Sequence, residues 1–166
     1  GYLLDDRDNQ IYRYVTIGGQ TWMAQNLNYS GPSGDVGSCY NAANNSIRIA
    51  NCNQYGRLYD WATAMNGGSS TSANPSNVQG ICPLGWHIPS DNEWSVLNSA
   101  ANKRLSPNGG NVLKSTTWPT KFIGGFDYFG FRALPSGYRD PQGIYRENGD
   151  ATGASSASQS WWSTTR

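Results

Sequence analysis

Residues Gly80-Ile81-Cys82-Pro83-Leu84-Gly85-Trp86-His87-Ile88-Pro89-Ser90-Asp91-Asn92-Glu93-Trp94 constrain this chain more than any other stretch. An apolar and aromatic run stops at Pro89 and passes directly into a helix. Proline restricts the residue before it, so Ile88 is pushed out of helical geometry and the corner is sharp. Ser90 and Glu93 form a capping-box pattern, in which each side chain takes the other residue's backbone N–H. Trp86 and Trp94 flank the corner, and each can bury a large apolar area. His87, the only histidine, lies between Trp86 and Ile88 and reads as a packed, hydrogen-bonded residue rather than a general base. Trp86, His87, Ser90, Glu93 and Trp94 are therefore expected to be structural.

A corner of this kind needs a core around it, and 166 residues are enough for one domain spanning 1–166. Only 14% of residues are charged and the net charge is +1. Ordinary soluble domains carry roughly 25%, so polarity here comes from Asn, Ser, Thr and Gly mixed with seven Trp and ten Tyr. Such a chain has no long-range attraction for nucleic acid or an anionic membrane, and no apolar run reaches the ~20 residues of a membrane span. The neutral, aromatic surface suits an extracellular or cell-surface protein. The chain opens directly on the β-like Gly1-Tyr2-Leu3-Leu4, as a mature or trimmed product would.

Cys39 and Cys52 flank a polar stretch, Tyr40–Asn51, and are a disulfide candidate that would give this stretch shape. Cys82 reads either as a buried thiol or as half of a disulfide whose partner lies outside these residues. Zinc is not expected, for want of a C-x-x-C spacing and a second histidine.

Along the chain, Tyr2–Leu4 and Ile11–Ile17 read as a hairpin around Asp5–Gln10, with Asp8-Asn9 as its turn dipeptide. Gly18-Gly19-Gln20 makes a second turn, and residues 21–29 are extended with Trp22 buried. Residues 30–52 are expected to be loop. Tyr55 to Met65 has helical spacing, with Tyr55, Leu58, Tyr59, Ala62 and Met65 on one face and a stop at Gly67-Gly68. Another loop covers 66–79, and a helix runs from Ser90 to Lys103 or Arg104, with Trp94, Leu97 and Ala101 inward. Beyond Leu105 come turns at Asn108-Gly109-Gly110-Asn111, Gly124-Gly125, Pro135-Ser136-Gly137 and Asp140-Pro141-Gln142-Gly143. β-like pieces lie between them at 112–114, 126–133, 138–139, 144–146 and 161–165, and a Gly, Ser and Ala rich mobile segment at 147–160. Strands first, helices in the middle and strands last predict an α+β fold with segregated layers.

Five motifs in order resemble those of the Fibrobacter succinogenes major paralogous domain. They are Val15-x-Ile17-Gly18-Gly19-Gln20-Thr21-Trp22-Met23-Ala24-Gln25-Asn26-Leu27-Asn28-Tyr29, then Tyr55-Gly56-Arg57-Leu58-Tyr59-Asp60-Trp61, then Gly80 to Trp94. Gly130-Phe131-Arg132-Ala133-Leu134-Pro135-Ser136-Gly137-Tyr138-Arg139 and Trp161-Trp162-Ser163-Thr164-Thr165 complete the series. The resemblance implies a bacterial surface or secreted protein, often a lipoprotein. It also implies a C-type lectin-like fold shared with formylglycine-generating enzymes, in which two helices flank a small twisted antiparallel sheet among long polar loops. Trp22, Trp61, Trp161 and Trp162 are then structural. Relatives continue past the Trp-Trp-Ser motif with closing strands that end in a cysteine, which would be the partner of Cys82. This sequence stops at Arg166, so those strands are expected to be absent, disordered or supplied by something else, and an exposed 161–165 edge would invite a partner strand.

No catalytic constellation is evident. Formylglycine-generating relatives need a cysteine pair that manages copper, and none lies in the last third. Asp60, beside Arg57 on the predicted helix, is expected to make a local ion pair or cap a neighbouring strand. Aromatics and Arg supply binding hot spots, and they concentrate at Trp118, Tyr128, Arg132, Tyr138, Arg139, Asp140, Tyr145 and Arg146. These eight are the candidate ligand-binding residues, for a glycan or a surface protein. The expected function is a non-catalytic binding or adhesion module. The alternatives are a formylglycine-generating-like enzyme and a structural surface subunit completed by a partner strand. No cofactor is expected; a structural calcium ion at Asp5, Asp6, Asp8 or Asp127 is the one exception left open.

Overall fold

The computed structural model describes residues 1–40, 44–106, 109–119, 124–148 and 158–165. Its first element is a three-stranded antiparallel sheet of β1 (Tyr2–Asp5), β2 (Gln10–Ile17) and β3 (Gln20–Met23), in that order. The β1–β2 turn closes at Asn9, whose φ of 59° is one that Asn tolerates better than most residues. Gly18 and Gly19, at φ 60° and 84°, form the two-residue turn between β2 and β3. Ile17, the last residue of β2, is buried against Leu97, Trp118, Phe131 and Ala133.

The helix after the Pro89 corner, α3 (Asp91–Arg104), begins as its sequence requires. Ser90 accepts from the Glu93 N–H, and Glu93 accepts from the Ser90 N–H. Leu97 and Ala101 face the core, which Trp94 and Trp22 flank. Burying a Leu side chain this fully is worth ~1.5–3 kcal/mol. A second cluster of Ala64, Met65 and Ile88 lies behind the corner, packed with Trp61, Val78 and Cys82.

Several elements differ from expectation. Residues 30–52 are not all loop: α1 (Asn45–Tyr55) starts at an Asn44 cap that accepts from the Ile47 N–H. Cys52 is buried on this helix and forms the Cys39–Cys52 disulfide, which fastens α1 to the preceding segment. Tyr55 therefore ends a helix instead of starting one. Gly56, at φ 75°, terminates α1. Leu58 then pairs with Ser38 in an extended bridge, so Tyr55, Leu58 and Tyr59 share no helical face with Met65. The second helix is only α2 (Trp61–Met65), capped by Asp60 through the Thr63 N–H. Asp60 thus caps its own helix, with no ion pair to Arg57 and no capped strand.

Residues 109–113, expected to turn and then extend, form a short helix, α4 (Gly109–Leu113). Residues 126–133 are irregular apart from a Lys114–Ala133 bridge. Ser136–Arg139, partly read as turn, is strand β4, which pairs antiparallel with β5 (Tyr145–Asn148) around the Asp140–Gly143 turn. The fold is thus mixed α and β, with two small antiparallel sheets and four helices among the described residues, where a single sheet and two helices were expected. Residue 108 and most of the 147–160 segment lie outside the described residues.

The end of the 161–165 segment is not an open edge. The Thr164 N–H bonds the Pro89 carbonyl, Thr71 donates to the Thr164 carbonyl, and the Asp91 N–H bonds Thr165 Oγ1. The segment is tied to the loop before the corner and to the start of α3, and Thr164 is fully buried.

Candidate functional site

The corner, β3, β4 and the 159–162 segment together bound an open cleft of about 1790 Å³. Its aromatic wall is continuous. The Trp22 and Trp94 rings lie 4.7 Å apart between centroids, Trp94 and Trp161 5.5 Å, and Phe131 and Trp161 5.8 Å. Trp161 is 42% and Trp162 45% exposed, well beyond what a purely structural role expects. The Trp162 indole donates to the Tyr59 carbonyl at 2.7 Å, and the Trp94 indole to the Trp162 carbonyl, so both rings are held in place. Trp86 packs against Tyr14 at 5.8 Å.

His87 lines the same cleft, half-exposed, with Nε2 2.7 Å from Glu93 Oε1. Burial pushes the Glu93 carboxyl upward. The Ser90 N–H, His87 and the Ser76 N–H together outweigh that and hold it below its ordinary value. Two buried polar atoms on β3, Gln20 Oε1 and Trp22 Nε1, have no partner among the described residues, and both residues line the cleft. Such atoms are uncommon in folded proteins.

The eight candidate ligand residues separate. Arg132, Tyr138, Arg139 and Asp140 line the cleft. Arg132 has φ 58° and donates its N–H to Asp127; its side chain is exposed. Asp140 pairs with Arg146 at 3.0 Å and accepts the Ile144 N–H, which fixes the β4–β5 turn. Tyr145 is held by Tyr40, at 5.3 Å, and by the Arg139 guanidinium. Tyr128 is exposed outside the cleft, beneath the Arg104 guanidinium. Trp118 belongs to the core at 5% exposure and is no part of a ligand surface.

The sequence reading placed Trp22, Trp94, Trp161 and Trp162 in structure alone, whereas they also form the cleft wall. One signal was available: successive residues of an extended segment point to opposite sides, so at least one of Trp161 and Trp162 had to lie outside a core.

Among the described residues, no three His, Cys, Asp or Glu side chains come together as a metal site. Both Asp5 oxygens are taken by Arg7, and Asp8 accepts from Gln10. Burial pushes the free Cys82 thiol up to about 12.

The fold and the site together define a small mixed α and β protein with an aromatic cleft that also carries charges of both signs, Arg132, Arg139 and Asp140 among them. The particular family follows from the sequence: the chain belongs to the Fibrobacter succinogenes major domain family, whose model matches residues 15–166. No curated protein and no solved structure gives a match. No helix among the described residues is long and apolar enough to cross a membrane.

Proposed function

We propose that this chain is a non-catalytic binding or adhesion module, displayed at a bacterial cell surface or secreted, whose ligand surface is the aromatic cleft. The ligand is a glycan or a protein. The observation that carries this reading is the exposure of Trp161 and Trp162 in a concave surface that Arg132 and Tyr138 also line. Large, rigid aromatics with an adjacent Arg give contact area at low entropic cost, and concave, mostly apolar surfaces are where ligands bind.

The Cys39–Cys52 disulfide is compatible with an oxidising compartment. Lipoprotein anchoring and the C-type lectin-like architecture belong to the same proposal and rest on the resemblance of the motifs, Pro89 to Trp94 above all. A formylglycine-generating-like enzyme would need a thiol to work with Cys82, and the other two cysteines of this sequence are bonded to each other.

Glycan and surface-protein arrays probed with wild type, Trp162→Ala and Tyr128→Ala test the proposal. Binding should be lost in Trp162→Ala and kept in Tyr128→Ala, which lies outside the cleft. Silence of the folded wild-type protein on both arrays would refute it.

A further inference from the structure

We infer that Asp127 is a positioning residue for the cleft, holding Arg132 in a strained backbone conformation that presents the Arg132 side chain as a ligand contact. The inference rests on the cleft being the ligand surface. Backbone geometry carries it. Among the described residues, five other than glycine have positive φ, and four of these are Asn9, Asn66, Asn77 and Asp127. Asn and Asp visit this region more readily than other residues, because their short side chains can bond locally. Arg132, at φ 58°, is the exception. A left-handed conformation is costly for such a residue and persists only where its surroundings over-determine it.

Those surroundings are built into the loop. Phe131 and Ala133, on either side, are buried in one core cluster, and the Ala133 N–H bonds the Leu113 carbonyl. Between them the Arg132 N–H donates to Asp127 Oδ1 at 2.8 Å. Asp127 is itself fixed, since its N–H bonds the Lys114 carbonyl and its carbonyl takes the Gly130 N–H. Burial pushes the Asp127 carboxyl above its ordinary value, opposed by the Arg132 N–H and by the charges of Arg132 and Arg13. The acceptor is therefore kept at a cost in solvation.

Glycine would take the φ of residue 132 without strain, and the same loop has one at Gly130, with φ 72°. Residue 132 is nevertheless an arginine, exposed and on the wall of the cleft. Strain of this kind gathers at binding sites, where one side chain must be held in one place. Arginine is also among the residue types that dominate binding energy.

The test pairs melting with the glycan and surface-protein arrays. Arg132→Gly and Arg132→Ala both remove the guanidinium and differ by one methyl group. Arg132→Gly should melt about 2–4 °C above Arg132→Ala, the reverse of the order at an unstrained position. Both should lose about tenfold or more of the wild-type array signal. Asp127→Ala should lose as much, while Asp127→Asn, which keeps an oxygen for the Arg132 N–H, should stay within about twofold of wild type. Asp127→Ala should also lower the melting temperature less in an Arg132→Gly background, where the backbone needs no hold.

Arg132→Gly melting at or below Arg132→Ala would show no strain at this position and overturn the inference. So would an array signal that Trp162→Ala abolishes but Arg132→Gly or Asp127→Ala leaves at wild-type strength; the cleft would then remain the ligand surface without this pair. Wild-type protein silent on both arrays would overturn the cleft reading and the inference together. Should Asp127→Ala fail to fold, Asp127→Gly, which takes φ 44° without strain and also lacks the acceptor, replaces it under the same expectations.

Discussion

His87 Nε2 lies 2.7 Å from Glu93 Oε1, while Glu93 Oε2 accepts the backbone N–H groups of Ser90 and Ser76. One carboxylate thus joins the start of α3, the loop before the corner and the wall of the cleft. Glu93→Ala would leave two backbone donors and the imidazole without their acceptor. A buried donor left unsatisfied costs about 1–3 kcal/mol, so Glu93→Ala should be the most damaging change at this corner short of core truncation. Ser90→Ala should cost about 1 kcal/mol, the usual value for an N-cap serine. Urea denaturation measures both, and equal losses would contradict this view of Glu93.

The same carboxylate fixes a direction for acid stability. Glu93 is held below its ordinary value by the Ser90 N–H, His87 and the Ser76 N–H against an opposing push from burial, and Asp5 chiefly by its hydrogen bond to Arg7. A carboxyl depressed in the folded state contributes stability that is fully present above its unfolded value, ~4. That contribution is lost as pH falls through the folded value. Melting temperature should therefore hold level through neutral pH and fall below about pH 4, with a shallower fall in Glu93→Gln. The same slope in the variant would place the acid sensitivity elsewhere.

The Cys39–Cys52 bridge closes 13 residues of sequence separation around the start of α1. Loops of this length are worth about 3 kcal/mol when cross-linked. Cys39→Ser should lower stability by about that amount, and reductant should bring the wild type down to meet it. Denaturation with and without reductant checks this; a wild type indifferent to reductant would refute it.

Burial pushes the Cys82 thiol up to about 12. The thiolate is the reactive form, so Cys82 should resist iodoacetamide at pH 8 in the native protein and react once unfolded. Mass spectrometry reads the adduct, and rapid native labelling would show a more open site.

Much of the fold was legible because its signals are local. Ser90 and Glu93 cap a helix by backbone geometry, Gly18-Gly19 makes a turn by φ, and Asp140–Gly143 closes a hairpin. The errors came where longer-range contacts decide. Asn45–Tyr55 is weakly amphipathic and polar, and its helix is held by the Asn44 cap, the disulfide and the burial of Tyr55. Leu58 carries helical spacing but is drawn into a bridge with Ser38. The cleft was legible only in part: Arg132, Tyr138, Arg139 and Asp140 stood out as a cluster, whereas Trp22 and Trp94 join them through tertiary packing alone.

The most direct test of the central claim is an amide-exchange footprint of the strongest ligand from the arrays, on the full chain. Binding in the cleft predicts protection on both walls, at 20–26 and 132–141, together with 159–162, and no change at Tyr128 or on the exposed Leu4 and Ile11 face of the first hairpin. Protection confined to that hairpin face, with the cleft amides unchanged, would contradict it.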